Sequence, residues 1–554
     1  MFSFIVCTLF LVFWTRKLVL VLKNVAAARA TGLPYIITPA LETEIIGHMM
    51  TPLLRKYYHR RLLQGRGWPR WCRFIVREWS WEDRGRSHAE LGDVFIAVSP
   101  EGLICYSTDA ILNADVTSRR LEFVKPPDKY KILESFGPNL ATVEGRSFRI
   151  HSRITAPAFN TRSGVDAIVW DETARQTRSL MTTWSRAAPT ALHSDITALS
   201  LATFLCAGYG RTTEWAILRD FGKTSGDAKN HWPGIHEAVM GVLTNMVSIL
   251  LLPEWILRLT VPQAATAYGN LKAQFTSMIN EERAHIIAQK GPNSRSETEC
   301  LLTSVVRSSL FAKDEEGIAT GEKDRTLSDK EIMGNLFIFL IGGIETTANS
   351  ILYGMIALAL YDDIQERVIQ SVDLLHKSSS ITGQPIRYSE DVEGMKYINA
   401  FMYEILRVFP GVLWITKMIQ TPTAVSLSDS KMVKLPANCR IYLNVTGTQR
   451  SPRYWAEPNR FNPDRWRDTI DRDPLRRLTG KFIGFSDGAR ACPGRIFAYH
   501  EFVAFFVTLL RDYRITLGDG LDRDIVEKDV FWRHAGKLTL SPLPHISVRL
   551  AKRI

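Results

Sequence analysis

Cys492 lies in the stretch Phe485-Ser486-Asp487-Gly488-Ala489-Arg490-Ala491-Cys492-Pro493-Gly494, a single sulfur in a glycine-bounded loop with an arginine two residues before it. A thiolate is a strong metal ligand, and it persists as an anion only where metal charge or nearby donors stabilise it. Gly488 and Gly494 let the backbone turn and approach a flat partner with no Cβ in the way. An apolar segment begins at Ile496, and a helix starting after Pro493 directs its positive end at the sulfur. Axial thiolate ligation of heme iron fits this chemistry.

A second stretch, Ile341-Gly342-Gly343-Ile344-Glu345-Thr346-Thr347, lies inside a long apolar run that Ser328 or Asp329 can N-cap and that extends to about Leu360. Adjacent interior glycines cost about 1 kcal/mol each relative to alanine, so the gain must be space, and a gap beside a heme can hold dioxygen. Thr346 can bond back to a carbonyl one turn earlier and hold the helix slightly open. Glu345 is an ionisable group in an apolar run and needs a reason to be there.

Together these stretches resemble the cytochrome P-450 family. The spacing F-x-x-G-x-R-x-C-x-G from Phe485 to Gly494 is similar to its heme-ligand signature, and Gly342 to Thr347 is similar to its A/G-G-x-D/E-T-T helix motif. The resemblance implies that Cys492 is the proximal iron ligand of heme b, that Arg490 pairs with a propionate, and that Phe485, Gly488 and Gly494 shape the cofactor loop. It also implies that Thr346 steadies an ordered water and that Glu345 feeds protons inward, both general acid-base roles.

Glu404-Ile405-Leu406-Arg407 resembles the family's E-x-x-R. The spacing alone says little, since Glu172/Arg175 and Glu457/Arg460 share it and such pairs are common on helices. Its place in the order gives it meaning, because it precedes Pro458-Asn459-Arg460-Phe461, which resembles P-E-R-F with Asn459 in place of Glu. The implied network is Glu404, Arg407 and Arg460, structural and not catalytic. Family members usually carry a Trp and, four residues later, an Arg or His on the helix within Glu144 to Phe159. Those places hold Phe148 and Ser152, so the resemblance leaves Arg149, His151 or Arg153 as candidates for the missing propionate charge, with Arg149 and Arg153 expected to be cofactor-binding. Val412 to Thr416 should run as a strand facing substrate, with Lys417 reaching towards a propionate.

At 554 residues with 45% hydrophobic and 23% charged residues, the composition is that of a globular enzyme. The net charge of +12 would suit an anionic partner, but Lys and Arg are spread along the chain and no zinc spacing or RNA-binding signature accompanies them. Nucleic acid is therefore not an expected partner. Seven scattered cysteines do not make a secreted disulfide framework.

Met1 to Trp14 is nearly all apolar, Arg16 and Lys17 interrupt, and Leu18 to Leu22 resumes. Fourteen helical residues cover about 21 Å against a hydrocarbon core of about 30 Å. Cations that snorkel to the cytosolic interface reconcile the two lengths, and a retained anchor is favoured over a cleaved signal peptide because no basic n-region precedes the apolar run. The expected organisation is an anchor at 1–24 and one catalytic domain at 25–554, mainly α with a smaller β portion, its long central helix over heme. Val94 to Ile111 reads as a β-hairpin and 291–323 as an exposed connection, while the resemblance implies a substrate lid at 234–259. Phe531 to Val548 alternates like strands.

The resemblance thus implies an endoplasmic-reticulum heme-thiolate monooxygenase acting on a hydrophobic small molecule of specialised metabolism. No flavin or nicotinamide fingerprint is present, so electrons would come from NADPH through a flavoprotein reductase docking near Arg476, Arg477, Lys481 and Arg495. Reductase-independent isomerase or dehydratase chemistry and a non-catalytic heme sensor are the alternatives. The complete Gly-Gly-Ile-Glu-Thr-Thr stretch argues against both.

Overall fold

The computed structural model describes residues 2–159, 164–186, 189, 191–219, 234–288, 299–311, 326–388, 393–467, 478–535 and 539–553. Arg476 and Arg477 lie outside them. The chain divides into two compact units, one of Met1–Pro126, Tyr403–Cys492 and Asp522–Leu543, the other of Pro127–Met402, Pro493–Leu521 and Pro544–Ile554.

The first unit is built on a six-stranded mixed sheet. Its strands are β1 (Tyr35–Ile37), β2 (Val94–Ser99), β3 (Gly102–Ser107), β4 (Phe123–Val124), β5 (Trp414–Ile419) and β8 (Arg440–Asn444), in the order β1-β2-β3-β8-β5-β4. β6 (Thr423–Ser426) and β7 (Met432–Leu435) form a separate hairpin. The expected hairpin is β2 against β3, in antiparallel register from Val94↔Ser107 to Ser99↔Gly102. Alternation along β2 and β3 sends Val94, Ile96, Val98 and Cys105 into one core cluster and Phe95, Ala97, Ile104 and Tyr106 into another, which is why both strands are apolar throughout. Trp68, Phe74 and Trp79 join the second cluster, while Trp71 is exposed.

An N-terminal helix, Phe2–Ala30, packs on this sheet by its second half. Lys17 pairs with Glu101 in the β2–β3 turn, Asn24 Nδ2 donates to Ser99 O at 2.9 Å, and Val25 and Ala28 are buried. Phe10 to Trp14 stay exposed. Among the described residues the helix long and apolar enough to cross a membrane, by length and composition, is Asp329–Leu360, and most of it is buried inside the protein. That is not the N-terminal position at which the sequence places an anchor.

The second unit is helical. Its long helix Asp329–Leu360 starts at a capping box in which Ser328 Oγ accepts from Glu331 N–H and Glu331 accepts from Ser328 N–H. It packs against the helix Leu192–Tyr209, which in turn lies on Val165–Trp184. The helix after the cysteine, Arg495–Leu509, packs on Val165–Trp184 as well. β9 (Tyr513–Leu517) and β10 (Val548–Lys552) complete the unit as an antiparallel pair.

Two readings of the chain need correction. The expected connection at 291–323 contains a helix, Leu301–Phe311, with seven of its residues buried. The expected strands from Phe531 to Val548 are absent among the described residues: a helix, Arg523–Trp532, ends there and the next strand is β10. Alternation in a short apolar run does not separate strand from irregular chain. The stretch expected as a lid forms three short helices, Ile235–Thr244, Met246–Leu251 and Glu254–Thr260.

Candidate active site

The cysteine loop belongs to the first unit and is fixed by its own backbone. Ser486 N–H donates to Ile483 O at 2.9 Å, Ala491 N–H to Gly488 O at 3.1 Å, and Cys492 N–H to Phe485 O at 2.8 Å. Phe485 and Cys492 thus close a turn that holds Arg490 half-buried and leaves Cys492 exposed. Gly488 has φ of +66°, and a Cβ there would sit 2.5 Å from Thr117 O. Glycine is required at this point both by conformation and by space.

Gln449 ties the loop to the E-x-x-R helix, Glu393–Val408. Its Nε2 donates to Leu406 O and Arg407 O, each at 3.0 Å, and its Oε1 accepts from Ile483 N–H at 3.0 Å. Sequence reading missed this residue, since one glutamine at the end of the short helix Val445–Gln449 carries no spacing signal.

On that helix Arg407 and Glu404 are fully buried and bonded twice, Nε to Oε2 at 2.8 Å and Nη2 to Oε1 at 2.9 Å. The third charge is not Arg460. The Arg460 side chain is two-thirds exposed and pairs with Glu457, while its carbonyl accepts from Arg407 Nη2 at 3.2 Å. Arg465 takes the place, with Nε 3.0 Å from Glu404 Oε1. Asn462 N–H and Trp466 Nε1 complete the carboxylate's partners at 2.8 and 3.0 Å. The signal was present, because the frame Pro-x-Arg-aromatic recurs at Pro463-Asp464-Arg465-Trp466 with an acid in the second place.

β5 follows this helix. The half-buried Trp414 ring packs among Trp79, Tyr106 and Tyr442 at 5.2–5.7 Å, against the second core cluster. Thr416 and Lys417 are buried, and Val412 is partly exposed. Lys481 lies 5.7 Å from the Tyr454 ring centroid.

The glycine-threonine stretch belongs to the second unit. Of the four glycines on the long helix, three make close approach possible: a Cβ would meet Pro138 O at 2.4 Å from Gly334, the Phe204 ring at 3.0 Å from Gly343, and Phe506 at 2.7 Å from Gly354. Gly342 differs, with nothing within 4 Å of its Cβ position. The expected space is therefore the work of Gly342 alone, and Gly343 serves packing. Thr346, one turn on from Gly342, donates from Oγ1 to Gly342 O at 2.7 Å. Glu345 is half-buried.

The helix Gly145–Thr155 carries the candidates for the propionate charge. His151 is not available for it: the ring is fully buried, with Nδ1 2.9 Å from Asn335 Nδ2 and Nε2 3.3 Å from Glu331 Oε1. Burial opposes ionisation of Glu331, yet its bonds to Ser328 and His151 hold the carboxyl below its ordinary range. Arg149 and Arg153, spaced i,i+4, share the exposed face of this helix, and Phe148 is buried. Arg495 begins the helix that follows Cys492, with Gly494 as its N-cap.

The donor set suits a soft axial ligand. Among the described residues no three His, Cys, Asp or Glu side chains are grouped to hold a metal ion. Burial pushes the Cys72 thiol up to about 11 and that of Cys439 to about 12, and Cys105 well above its ordinary value. Cys206 and Cys300 are half-buried, and Cys492 is exposed.

The family model described as Cytochrome P450 matches residues 229–541. A cytochrome P450 monooxygenase of Penicillium rubens, prx9, is 42% identical over 100% of this chain and 97% of its own length. A second, ORF6 of Penicillium roqueforti, shows the same identity and coverage. The crystal structure of a cytochrome P450, CYP102L1, superposes with a TM-score of 0.64 at 17% identity, covering 85% of this chain and 94% of that one.

Proposed function

This chain belongs to the cytochrome P450 family and is an oxidoreductase of the monooxygenase type, and from that premise we propose that it inserts one oxygen atom of dioxygen into a hydrophobic small molecule of terpenoid, polyketide or alkaloid-like character. The observation that carries the reading is Cys492, the exposed cysteine in a loop pinned by Cys492 N–H to Phe485 O. Electrons come from NADPH through a separate flavoprotein reductase.

Heme bound through a thiolate supplies the activation of dioxygen. Cys492 would hold its iron, and Arg490, with Arg149 and Arg153, would hold its propionates. Thr346 gives its proton to Gly342 O, so its oxygen remains an acceptor and orients a water by taking one of that water's hydrogens. Glu345, adjacent and half-buried, passes protons from solvent to that water. The Glu404, Arg407 and Arg465 network sets the geometry of the chain that leads to the cysteine loop. Phe10 to Trp14, 53–67% exposed, are the side chains that enter the endoplasmic-reticulum membrane, with the rest of the chain cytosolic.

The test is a reduced, carbon monoxide-bound absorption spectrum of wild type and Cys492→Ser, followed by turnover with and without NADPH and reductase. The thiolate-ligated band should appear in wild type and vanish in the variant, and product should require both NADPH and reductase. Turnover of a peroxide substrate alone would make the chain an isomerase or dehydratase, and ligand binding with no turnover would make it a sensor.

A further inference from the structure

A groove of about 740 Å³ opens in the second unit, lined by none of the residues assigned above. Three segments distant in the chain meet around it: the last turns of the helix Val165–Trp184, the turn into β9, and the end of β10. Each brings cations. Arg178 and Arg186 come from the first, Arg511 from the second, and Lys552 and Arg553 from the third, against the single acid Asp512.

These cations are not equivalent. Arg553 is fully engaged, bonded to Asp373 at 2.6 and 2.9 Å and to the carbonyls of Leu510 and Arg511 at 2.7 and 3.0 Å. It fastens the strand end and builds the floor. Arg511 has Asp512 at 3.8 Å. Arg178, Arg186 and Lys552 have no side-chain ion pair or hydrogen bond among the described residues, and Arg178, Arg186 and Lys552 are all exposed at the rim.

The end of a helix carries partial negative charge, and a cation there is favourable by about 0.3–1 kcal/mol. That accounts for Arg186, two residues past the helix end, but not for Arg178, which precedes the last turn, or for Lys552, which arrives on a strand. Like charges converging without counter-charges cost energy that a bound anion would recover. The hollow is concave and of the size of small-ligand sites, which favours a small molecule over a flat protein face. Guanidinium groups match phosphate oxygens in paired, charge-assisted hydrogen bonds.

We propose that this groove binds a small organic polyphosphate, held by Arg178, Arg186 and Lys552 at a site separate from the proposed heme site. The phosphates are presented either free in solution or on a lipid headgroup, and both sources use the same three cations.

The test uses the full-length holoenzyme and inorganic tripolyphosphate in calorimetric titration at low and physiological salt, with a parallel arm using phosphatidylcholine vesicles containing a phosphoinositide. Saturable binding of one tripolyphosphate per chain is expected. Arg178→Glu/Lys552→Glu should weaken it by about a hundredfold, the loss of two charge-assisted contacts. The charge-matched control Lys431→Glu/Arg467→Glu should leave it unchanged. A preference for the vesicle arm that the same double variant abolishes assigns the lipid source. Absent saturable binding in both arms, equal weakening in the control pair, or binding of polyglutamate without tripolyphosphate overturns the proposal.

Discussion

The Arg465 guanidinium meets the Glu404 carboxylate at 3.0 Å in the interior, while the Arg460 guanidinium lies at the surface beside Glu457. Glu404 also accepts from Arg407, Asn462 and Trp466. Removing one partner of a buried pair leaves an uncompensated charge and costs roughly 3–5 kcal/mol. Arg465→Ala should therefore lower the unfolding midpoint sharply and reduce heme retention. Arg460→Ala should stay within about 0.5 kcal/mol of wild type. Denaturant unfolding of the two variants side by side checks this, and equal losses would restore Arg460 to the network.

The adjacent glycines should respond in opposite ways. Gly342→Ala gains about 1 kcal/mol in helix propensity and meets nothing, so thermal stability should rise while the methyl group occupies the open face and lowers turnover. Gly343→Ala presses on Phe204 and should lose roughly 1 kcal/mol net. Melting temperatures together with product formation rates separate the two.

Two kinds of buried group should set the pH range of stability. Burial raises Glu501, with the Ser200 hydroxyl beside it, to about 8 from an ordinary 4.5. Between those values the folded chain holds a proton that the unfolded chain has released, so stability falls as pH rises. Burial lowers His88 and His534 to about 4 from 6.5. In that interval the unfolded chain holds the extra protons, so stability falls as pH drops. Glu501→Gln should remove the fall in stability between pH 6.5 and 8 and steepen the rise between pH 4.5 and 6.5, where the glutamate opposes the histidines, as read from denaturation midpoints between pH 4 and 9.

Truncation should divide the N-terminal helix at Lys17. Removing residues 2–16 leaves Lys17 with Glu101, Asn24 with Ser99 and the buried Val25 and Ala28, so the fold should persist while membrane association is lost. Removing residues 2–30 exposes the sheet face beneath and should lower stability by several kcal/mol, the burial of two apolar side chains and one hydrogen bond. Flotation assays and melting curves read the two effects separately.

The parts of this architecture that were legible in the sequence rest on local rules. The N-cap at Ser328 and the start of a helix just past Gly494 need only neighbours in the chain, as does the bond from Thr346 to Gly342 O. What was illegible depends on long-range packing. Two frames of Pro-x-Arg-aromatic lie five residues apart, and only the fold decides that Arg465 turns inward. Gly342 and Gly343 look alike until Phe204, 139 residues before Gly343, fills the space beside one of them. His151 reads as a candidate cofactor ligand because its partners, Glu331 and Asn335, are 180 and 184 residues away.

The contrast between Cys492 and the shielded thiols Cys72, Cys105 and Cys439 makes cofactor loading countable. In a preparation stripped of its prosthetic group, a maleimide dye should tag position 492 well ahead of those three, and reconstitution should quench that labelling in proportion to the fraction of molecules filled. A batch can thus be graded for completeness without any knowledge of what it oxidises.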